Sequence, residues 1–409
     1  QSNGISLRLS AGKCSCWRKD SDNTDFQSRF GKYEIAVDSS ERSSFRSDMM
    51  SVILVINPGS TSTKLALFKD SEVTGEHTIR HSPHELGKFA SLYEQRAFRK
   101  ALIISFLESA GHPLTEIDAI IGRGGMLRPL EGGTYVVNDD MIEDLRSAKY
   151  GEHASNLGAI LAKELSLESG KEIPAYIADP VVVDEMDPVA KLSGHPDYTR
   201  RSIFHALNQK AVTREVAARY GKKYEDMNFI VVHMGGGISI GAHRRGRVVD
   251  VNNALNGDGP FSPERAGTLP ITGLIKLCYS EKYSKNEVKK LIKGNGGLMA
   301  YTGTSDCQKV QQAIVDGDKK AETAYRAMAY QIVKWAGRMA AVLSGDVDSI
   351  IITGGIAHDS RFMVPWLTEK LSFIAPISVV PGGNEELSLA MACSRILEGI
   401  EKAKEYRRA

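Results

Sequence analysis

The sequence predicts an α/β protein built from two related domains that share a cleft, and three observations carry that expectation. Over Val52–Phe68, VILVINPGSTSTKLALF, an apolar run stops at a tight reversal and resumes as a second apolar run. The same plan of strand, small-residue reversal, return strand, turn and third strand recurs over Phe229–Asp250, FIVVHMGGGISIGAHRRGRVVD, so each half of the chain opens alike. Finally, 409 residues are too many for one compact core and suit two large domains.

Composition narrows the function classes. Hydrophobic residues at 42% and charged residues at 25% are globular values. A net charge of +2 gives no general reason to expect nucleic acid or an anionic membrane as partner. No apolar stretch is long enough to span a bilayer and the N-terminus lacks the apolar core of a secretory signal, so a cytoplasmic location is expected. Five cysteines, including a Cys14/Cys16 pair with no second pair at zinc spacing, argue against a disulfide framework.

Residues 1–49, rich in Ser and mixed charges, read as a poorly ordered extension outside the fold. In the opening hairpin Pro58-Gly59 reverses the chain, and Ser60, Thr61, Ser62 and Thr63 line the reversal with hydroxyls and N–H groups. Lys64 adds a positive charge within reach of a nucleotide phosphate. An ordinary Ser/Thr-rich hairpin has the same look, and only the second copy tips the balance. A third strand is expected near Glu76–Ile79 and a helix over Ala90–Ala110, stopped by Gly111-His112-Pro113. The strand Ile117–Ile121 runs into Gly122-Arg123-Gly124-Gly125. An Arg framed by glycines at a strand end is approachable, as an anion-binding residue must be, although a solvent-facing loop Arg looks the same. Helices over 139–145 and 156–167 lead to the strand Ala175–Ala178, which delivers Asp179 at its C-terminal end. A carboxylate there either holds a metal, directly or through water, or caps the next turn. Asp197–Tyr220 reads as helical, with Arg201 and His205 on one face, aimed at an anionic ligand or forming a surface ion-pair face.

In the second half the reversal spans Met234–Ile238. Neither reversal fits G-x-x-x-x-G-K-[ST], which excludes a P-loop, and neither opens into a helix, which disfavours a Rossmann site. Asn252–Pro270 is a long Gly/Pro-rich loop carrying Glu264 and Arg265. Helices are expected over 274–278, 287–292 and 321–343, with Gly303–Asp306 as a cap and turn. The strand Ser349–Thr353 runs into Gly354-Gly355-Ile356, where paired glycines let backbone approach a flat ligand such as adenosine. After a strand at Ser378–Val380 comes a terminal helix, Asn384–Lys404. Its first-turn Glu385 and Glu386 suit the helix dipole with or without a further role.

INPGSTSTKLALF, RRSIFHALNQKA, HMGGGISIG, GPFSPERAGTLP, TGGIAHDS and PGGNEELSLA resemble, in order and spacing, the motifs of the acetate and butyrate kinase family. That family belongs to the actin, Hsp70 and sugar-kinase superfold. The wording of DPVVVDEMDPVAKLSGHPDYTRRSIFHALNQKA and GPFSPERAGTLP is most similar to its butyrate-kinase branch. The resemblance runs from about Val52 to the C-terminus. It implies two ribonuclease-H-like (actin/Hsp70-type) domains flanking an interdomain cleft: an N-terminal lobe of residues 50–181 plus 384–409, and a nucleotide-binding lobe of residues 182–383. It also implies ATP/ADP and Mg²⁺ as cofactors, a small carboxylic acid as phosphoryl acceptor, and a homo-oligomer.

Carried over residue by residue, the resemblance makes Arg123, His205, Asn57 and Lys64 catalytic. Ser60, Ser62, His233, Gly235, Gly236, Gly237, Asp306, Gly354, Gly355 and Ile356 would meet the nucleotide and its phosphates. Gly124, Gly125, Phe204 and Arg265 would meet the acid, and Asp179 and Glu385 would position Mg²⁺. Three departures stand out. The loop Ser262–Pro270 is shorter than in acetate kinases, and Arg265 is the candidate for their second active-site Arg. Gly124 and Gly125 replace bulky apolar residues, which predicts room for a four-carbon tail at about 0.8 kcal/mol per buried CH₂. Gln308 stands where an Arg is expected, so only Asp306 carries over. The rival readings are an acetate, propionate or branched-chain acid kinase and, from another class, a non-catalytic Hsp70-like ATP-binding module.

Overall fold

Continuous apolar runs become strands covered on both faces, and this chain has two sets of them. The computed structural model describes residues 51–69 and 72–408, so the extension expected over residues 1–49 lies outside the described residues. The strands are β1 (Val52–Pro58), β2 (Ser62–Lys69), β3 (Glu72–Arg80), β4 (Ala119–Arg123), β5 (Thr134–Val136), β6 (Ala175–Ala178), β7 (Asn228–Met234), β8 (Ile238–Arg244), β9 (Arg247–Val251), β10 (Ser349–Gly354), β11 (Ile377–Pro381) and β12 (Lys404–Glu405).

They form two sheets, ordered β12-β5-β6-β4-β1-β2-β3 and β11-β10-β7-β8-β9. In the first, β1-β2-β3 is an antiparallel meander, with β4 and β6 added in parallel on the other side of β1. In the second, β7-β8-β9 is the meander and β10 and β11 are the parallel additions. The duplication read from the two hairpins therefore extends through five strands of each sheet.

Each sheet carries helices on both faces. On one face of the first, Leu54, Ile56, Leu65 and Leu67 pack with the helices Gln95–Ser109 and Asn156–Glu168. On its other face Ile53, Val55, Ala66 and Phe68 pack with Leu389, Ala390 and Cys393 of the helix Glu385–Leu397. In the second, the helices Lys319–Val342 and Met363–Leu371 cover Ile230, Val232 and Ile350, and the helix Ala206–Arg219 covers Phe229, Val231 and Ile351. The last helix of each repeat is thus exchanged. The one following β6 lies on the second sheet, and the one following β11 lies on the first. Glu185, in the segment between β6 and the helix Ala206–Arg219, accepts from Gly132 N at 2.9 Å and Val248 N at 2.8 Å, with Lys210 Nζ 3.0 Å away. One buried carboxylate thereby ties a loop of the first sheet to β9 of the second.

Two helix expectations need correction. The helix expected over Asp197–Tyr220 begins only at Ala206. Upstream, Arg200 donates to Ala190 O (2.7 Å) and Val251 O (3.0 Å), and Ser202 Oγ donates to Val183 O (2.6 Å), so side chains hold the backbone in an irregular path. Arg201 and His205 therefore do not share a helical face; Arg201 is exposed and His205 is the residue just before the helix. The terminal helix stops at Leu397, ahead of Gly399 with φ 70°, and Lys404–Glu405 pair with β5 instead. Among the described residues no helix is long and apolar enough to cross a membrane.

Candidate active site

Strand order decides which loop residues meet. Because β4 lies between β1 and β6, the C-terminal ends of all three open on one edge of the sheet, beside the start of the helix Glu385–Leu397. Asn57 sits near the end of β1, opposite Lys64 on β2. Its Nδ2 donates to Glu385 Oε2 (2.9 Å) and Glu386 Oε1 (2.8 Å), and its Oδ1 accepts from Arg123 Nη1 at 3.3 Å. Arg123, the last residue of β4, reaches Glu385 Oε2 at 2.6 Å, and Lys64 Nζ lies 3.8 Å from Glu386 Oε1. Asn384, not either glutamate, caps the helix, accepting from Leu387 N at 2.9 Å. Neither carboxylate is tied up in capping, and Glu385 lines the cavity beside Arg123.

Arg123 pairs with Ala178 across β4 and β6, which brings the next residue, Asp179, to the same edge. Asp179 is buried and holds φ at 37°, the left-handed region that a β-carbon disfavours. Its Oδ1 accepts from Gly133 N at 2.7 Å and its Oδ2 lies 3.8 Å from Arg214 Nη1. Arg123, Gly124, Asp179, Pro180, His205 and Glu385 line one small cavity.

His205 joins this cavity to the second sheet. Its ring stacks on His233 of β7 with centroids 3.8 Å apart and an interplanar angle of 13°, and its Nδ1 is 2.9 Å from Ser239 Oγ. Burial, then His233 and the cations Arg265 and Arg123, hold His205 well below an ordinary histidine. Burial, then Arg123, push His233 down to about 3. Both rings are neutral at pH 7 and pair as uncharged imidazoles. His233 Nδ1 lies 2.6 Å from Asn208 Oδ1.

Beyond His233 the strand reaches Gly235 and Gly236. With Glu264, Asp306, Gln308, Gly355, Ile356 and Asp359 they line an open cleft of about 410 Å³. Arg265 lies against Gly237, where a β-carbon would fall 1.9 Å from its Nη1, and donates to Ala254 O at 2.5 Å. Burial lowers its pKa, and its Nε has no protein partner among the described residues.

Comparison with known proteins bears on what this arrangement belongs to. Residues 194–379 match the family model described as the Acetokinase family. A curated protein of Clostridium botulinum (strain Alaska E43 / Type E3), named "Probable butyrate kinase", is 52% identical over 354 residues, covering 87% of this chain and 99% of that protein. This chain belongs to the acetokinase family. Its fold is that of the crystal structures of Porphyromonas gingivalis acetate kinase (TM-score 0.70, 19% identity, 85% of this chain and 100% of that one) and of a propionate kinase from Francisella tularensis subsp. tularensis SCHU S4 (0.65, 20%, 84% and 99%). The α/β fold with two related sheets expected from the sequence is the fold these kinases share.

Within this acetokinase framework the expected site residues fall into place unevenly. Asn57, Arg123, Asp179, His205, His233 and Glu385 form one connected set, which Lys64 joins through Glu386, while Arg265 lies apart against Gly237; Gly235, Gly236, Asp306, Gly355 and Ile356 line the larger cleft. Ser60 is exposed and lines a separate hollow with Gln95, Glu152 and His153, while Ser62 is half-buried.

Three expectations are corrected. A β-carbon at Gly124 would fall 2.6 Å from Pro180 Cβ, and one at Gly125 would fall 2.5 Å from Asn156 Oδ1. Both glycines admit neighbouring protein; Gly124 also lines the small cavity, whereas Gly125 is not among that cavity's lining residues. Phe204 is 2% exposed and packs in the apolar cluster of the first sheet, off the cavity. Gly354, at φ 86°, is buried, and a β-carbon there would fall 2.3 Å from Met234 O, so it lets β10 and β7 approach and is not among the residues lining the cleft.

Two residues that support this arrangement carry no sequence signal of it. Glu386 was visible beside Glu385, but nothing in the sequence showed it meeting Asn57. Arg99 is fully buried, has no carboxylate partner among the described residues, and donates to Gly59 O (3.0 Å), Ser62 O (3.2 Å) and Thr63 Oγ1 (3.0 Å), bracing the opening reversal from beneath. Burial lowers its pKa to about 10. One Arg in an amphipathic helix carries no sequence signal for that.

Among the described residues no cluster of three or more His, Cys, Asp or Glu side chains is arranged to hold a metal. Two hard carboxylates, Asp179 and Glu385, share the small cavity. That donor set fits Mg²⁺, which takes one or two carboxylates and completes its shell with water and substrate phosphate.

Proposed function

We propose that this acetokinase-family protein transfers the γ-phosphoryl group of ATP to a short-chain carboxylate, butanoate foremost, giving butanoyl phosphate and ADP. The observation that carries the reading is the convergence of Arg123, at the end of a strand of the first sheet, and His205, stacked on His233 of the second, on one cavity next to Asp179 and Glu385. The 52% identity to a protein named for butyrate supports the choice of acid.

A carboxylate is already deprotonated at pH 7 and needs no general base. The chain must align its oxygen with the γ-phosphorus and offset charge on the transferring group. The carboxylate oxygen forms the new bond to phosphorus, the bond from phosphorus to the β–γ bridging oxygen breaks, and ADP leaves with that electron pair. The larger cleft, with Gly235 and Gly236 at one side and Gly355 and Ile356 at the other, suits the nucleotide. Arg123 offers a guanidinium and His205 a neutral donor to the phosphoryl oxygens. Asn57 and Lys64 hold Glu385 and Glu386 in position, and Arg265 takes the place of a second cation. Bound Mg²⁺ would offset charge on the β- and γ-phosphates, with Asp179 and Glu385 holding it directly or through water.

The lobes on this reading are residues 50–181 with 384–409, and 182–383. A cytoplasmic homo-oligomer goes with it.

Trapping acyl phosphate with hydroxylamine, at equal concentrations of acetate, propionate, butanoate and isobutanoate with ATP and Mg²⁺, tests the reaction. Most hydroxamate is expected from butanoate. Nucleotide binding with no hydroxamate from any acid would make the protein a non-catalytic module instead.

A further inference from the structure

Behind His205 runs a chain of polar groups that the phosphoryl-transfer reading leaves unused. Ser239 Oγ, 2.9 Å from His205 Nδ1, also lies 2.8 Å from Gln209 Nε2. Gln209 Oε1 is 2.9 Å from His243 Nε2, and His243 Nδ1 is 2.7 Å from Tyr224 Oη. Ser239, Gln209 and His243 have no exposed surface and Tyr224 is 2% exposed. The backbone makes room for the arrangement. A β-carbon at Gly241 would fall 2.6 Å from Gln209 Oε1 and 3.1 Å from His243 Nε2.

The direction of every hydrogen bond in this chain follows from one carbonyl. Gln209 Nε2 lies 3.1 Å from the backbone oxygen of Ser239, which can only accept. The nitrogen end of the amide must therefore face Ser239 and the oxygen end must face His243. His243 Nε2 then carries a proton, Nδ1 of the neutral ring is bare, and the Tyr224 hydroxyl donates to it. In the other direction, the second amide hydrogen of Gln209 goes to Ser239 Oγ, which is also approached at 3.5 Å by His205 N. The Ser239 hydroxyl hydrogen is left to donate to His205 Nδ1. The imidazole proton of His205 then sits on Nε2, the nitrogen without a protein partner among the described residues.

We propose that Tyr224, His243, Gln209 and Ser239 form a one-way hydrogen-bond relay that fixes His205 as its Nε2–H tautomer, making Gln209 and Ser239 positioning residues. The proposal rests on the reading of His205 as a donor to the transferring phosphoryl group, and it says which hydrogen makes that donation. A ring with the opposite tautomer would present a lone pair to phosphate oxygens and repel them. Burial holds both His205 and His243 in the neutral form that the argument requires.

The full-length protein labelled with ¹⁵N-histidine tests this by two-bond ¹H–¹⁵N correlation at pH 7.5, where the two neutral tautomers give distinct cross-peak patterns. His205→Asn and His243→Asn variants assign the signals. The expected spectrum shows both rings as Nε2–H. Wild-type His205 protonated on Nδ1 would overturn the proposal, and this reading needs no variant of the relay to fold. Gln209→Glu and Ser239→Ala then test what sets the tautomer. The carboxylate of Gln209→Glu accepts the Ser239 hydroxyl, so His205 should swing to Nδ1–H. Its kcat should fall at least tenfold while the KM for ATP stays within about twofold. Ser239→Ala should give a mixture of tautomers. An unchanged His205 pattern in a folded Gln209→Glu or Ser239→Ala variant would refute the relay. Wild-type protein that makes no acyl phosphate but shows the predicted tautomers would remove the kinase reading and leave the relay standing.

Discussion

Asn57 makes one amide serve two carboxylates and a guanidinium, and the site depends on that sharing. Its Nδ2 donates to both Glu385 and Glu386, while Arg123 approaches its Oδ1 and Glu385 together. Arg123→Ala removes a cation from the cavity and leaves Glu385 with Asn57 as its hydrogen-bond donor. A loss of about 10²–10³ in kcat/KM for the acid is expected, as for other donors to developing charge. Steady-state kinetics on a folded variant decides this, and near-wild-type turnover would take Arg123 out of its role. These residues were legible one at a time. Glycines framed Arg123, a strand end preceded Asp179, and two acids opened the last helix. Their meeting was not legible, because Arg123 and Glu385 lie 262 positions apart and nothing local records which strand adjoins which. The glycines after Arg123 were ambiguous for a related reason. A missing side chain signals close approach, but not whether the approaching group is a ligand or Pro180.

At the scale of elements, Arg123 is aimed by a contact between two backbones. A β-carbon at Gly122 would fall 2.2 Å from Gly158 O, and one at Gly158 would fall 2.3 Å from Arg123 O, so the helix Asn156–Glu168 lies directly on the end of β4. Gly158→Ala must push them apart. It should destabilise by about 1–3 kcal/mol in urea unfolding, the usual cost of overpacking. It should also lower kcat at temperatures where the protein remains folded, since the displaced strand end carries the guanidinium. Unchanged stability and turnover would show that the contact yields freely. Strands were the most legible elements because coverage on both faces writes them as unbroken apolar runs. The segment 197–205 has helical spacing yet is irregular, because Arg200 and Ser202 fix its path by bonding to distant carbonyls, a tertiary effect that outweighs local spacing.

At the scale of the whole molecule, buried histidines link folding to pH. His243 has no exposed surface, and burial, with Lys210 and Arg214 nearby, holds its pKa well below the ordinary value of about 6.5. The folded ring therefore stays neutral while the unfolded ring takes up a proton. Stability should be complete above about pH 6.5 and should fall below it. The slope approaches about 1.4 kcal/mol per pH unit for each such ring. Urea unfolding between pH 5 and pH 8 measures it, and a curve flat from pH 7 to pH 5 would contradict the burial. The doubled sheet was legible at this scale from two hairpins alone. The exchange of last helices was not, because an apolar stripe shows that a helix is covered without showing by which sheet.

That exchange sets an order on the ribosome. The strands β1 to β6 emerge in the first half of synthesis, but Leu389, Ala390 and Cys393, which seal one face of their sheet, come about 200 residues later. At typical rates of about 5–20 residues per second, the nascent sheet waits some 10–40 s with that face bare. A chaperone that binds open apolar surface would find its substrate in that interval, and release would follow the arrival of the final helix.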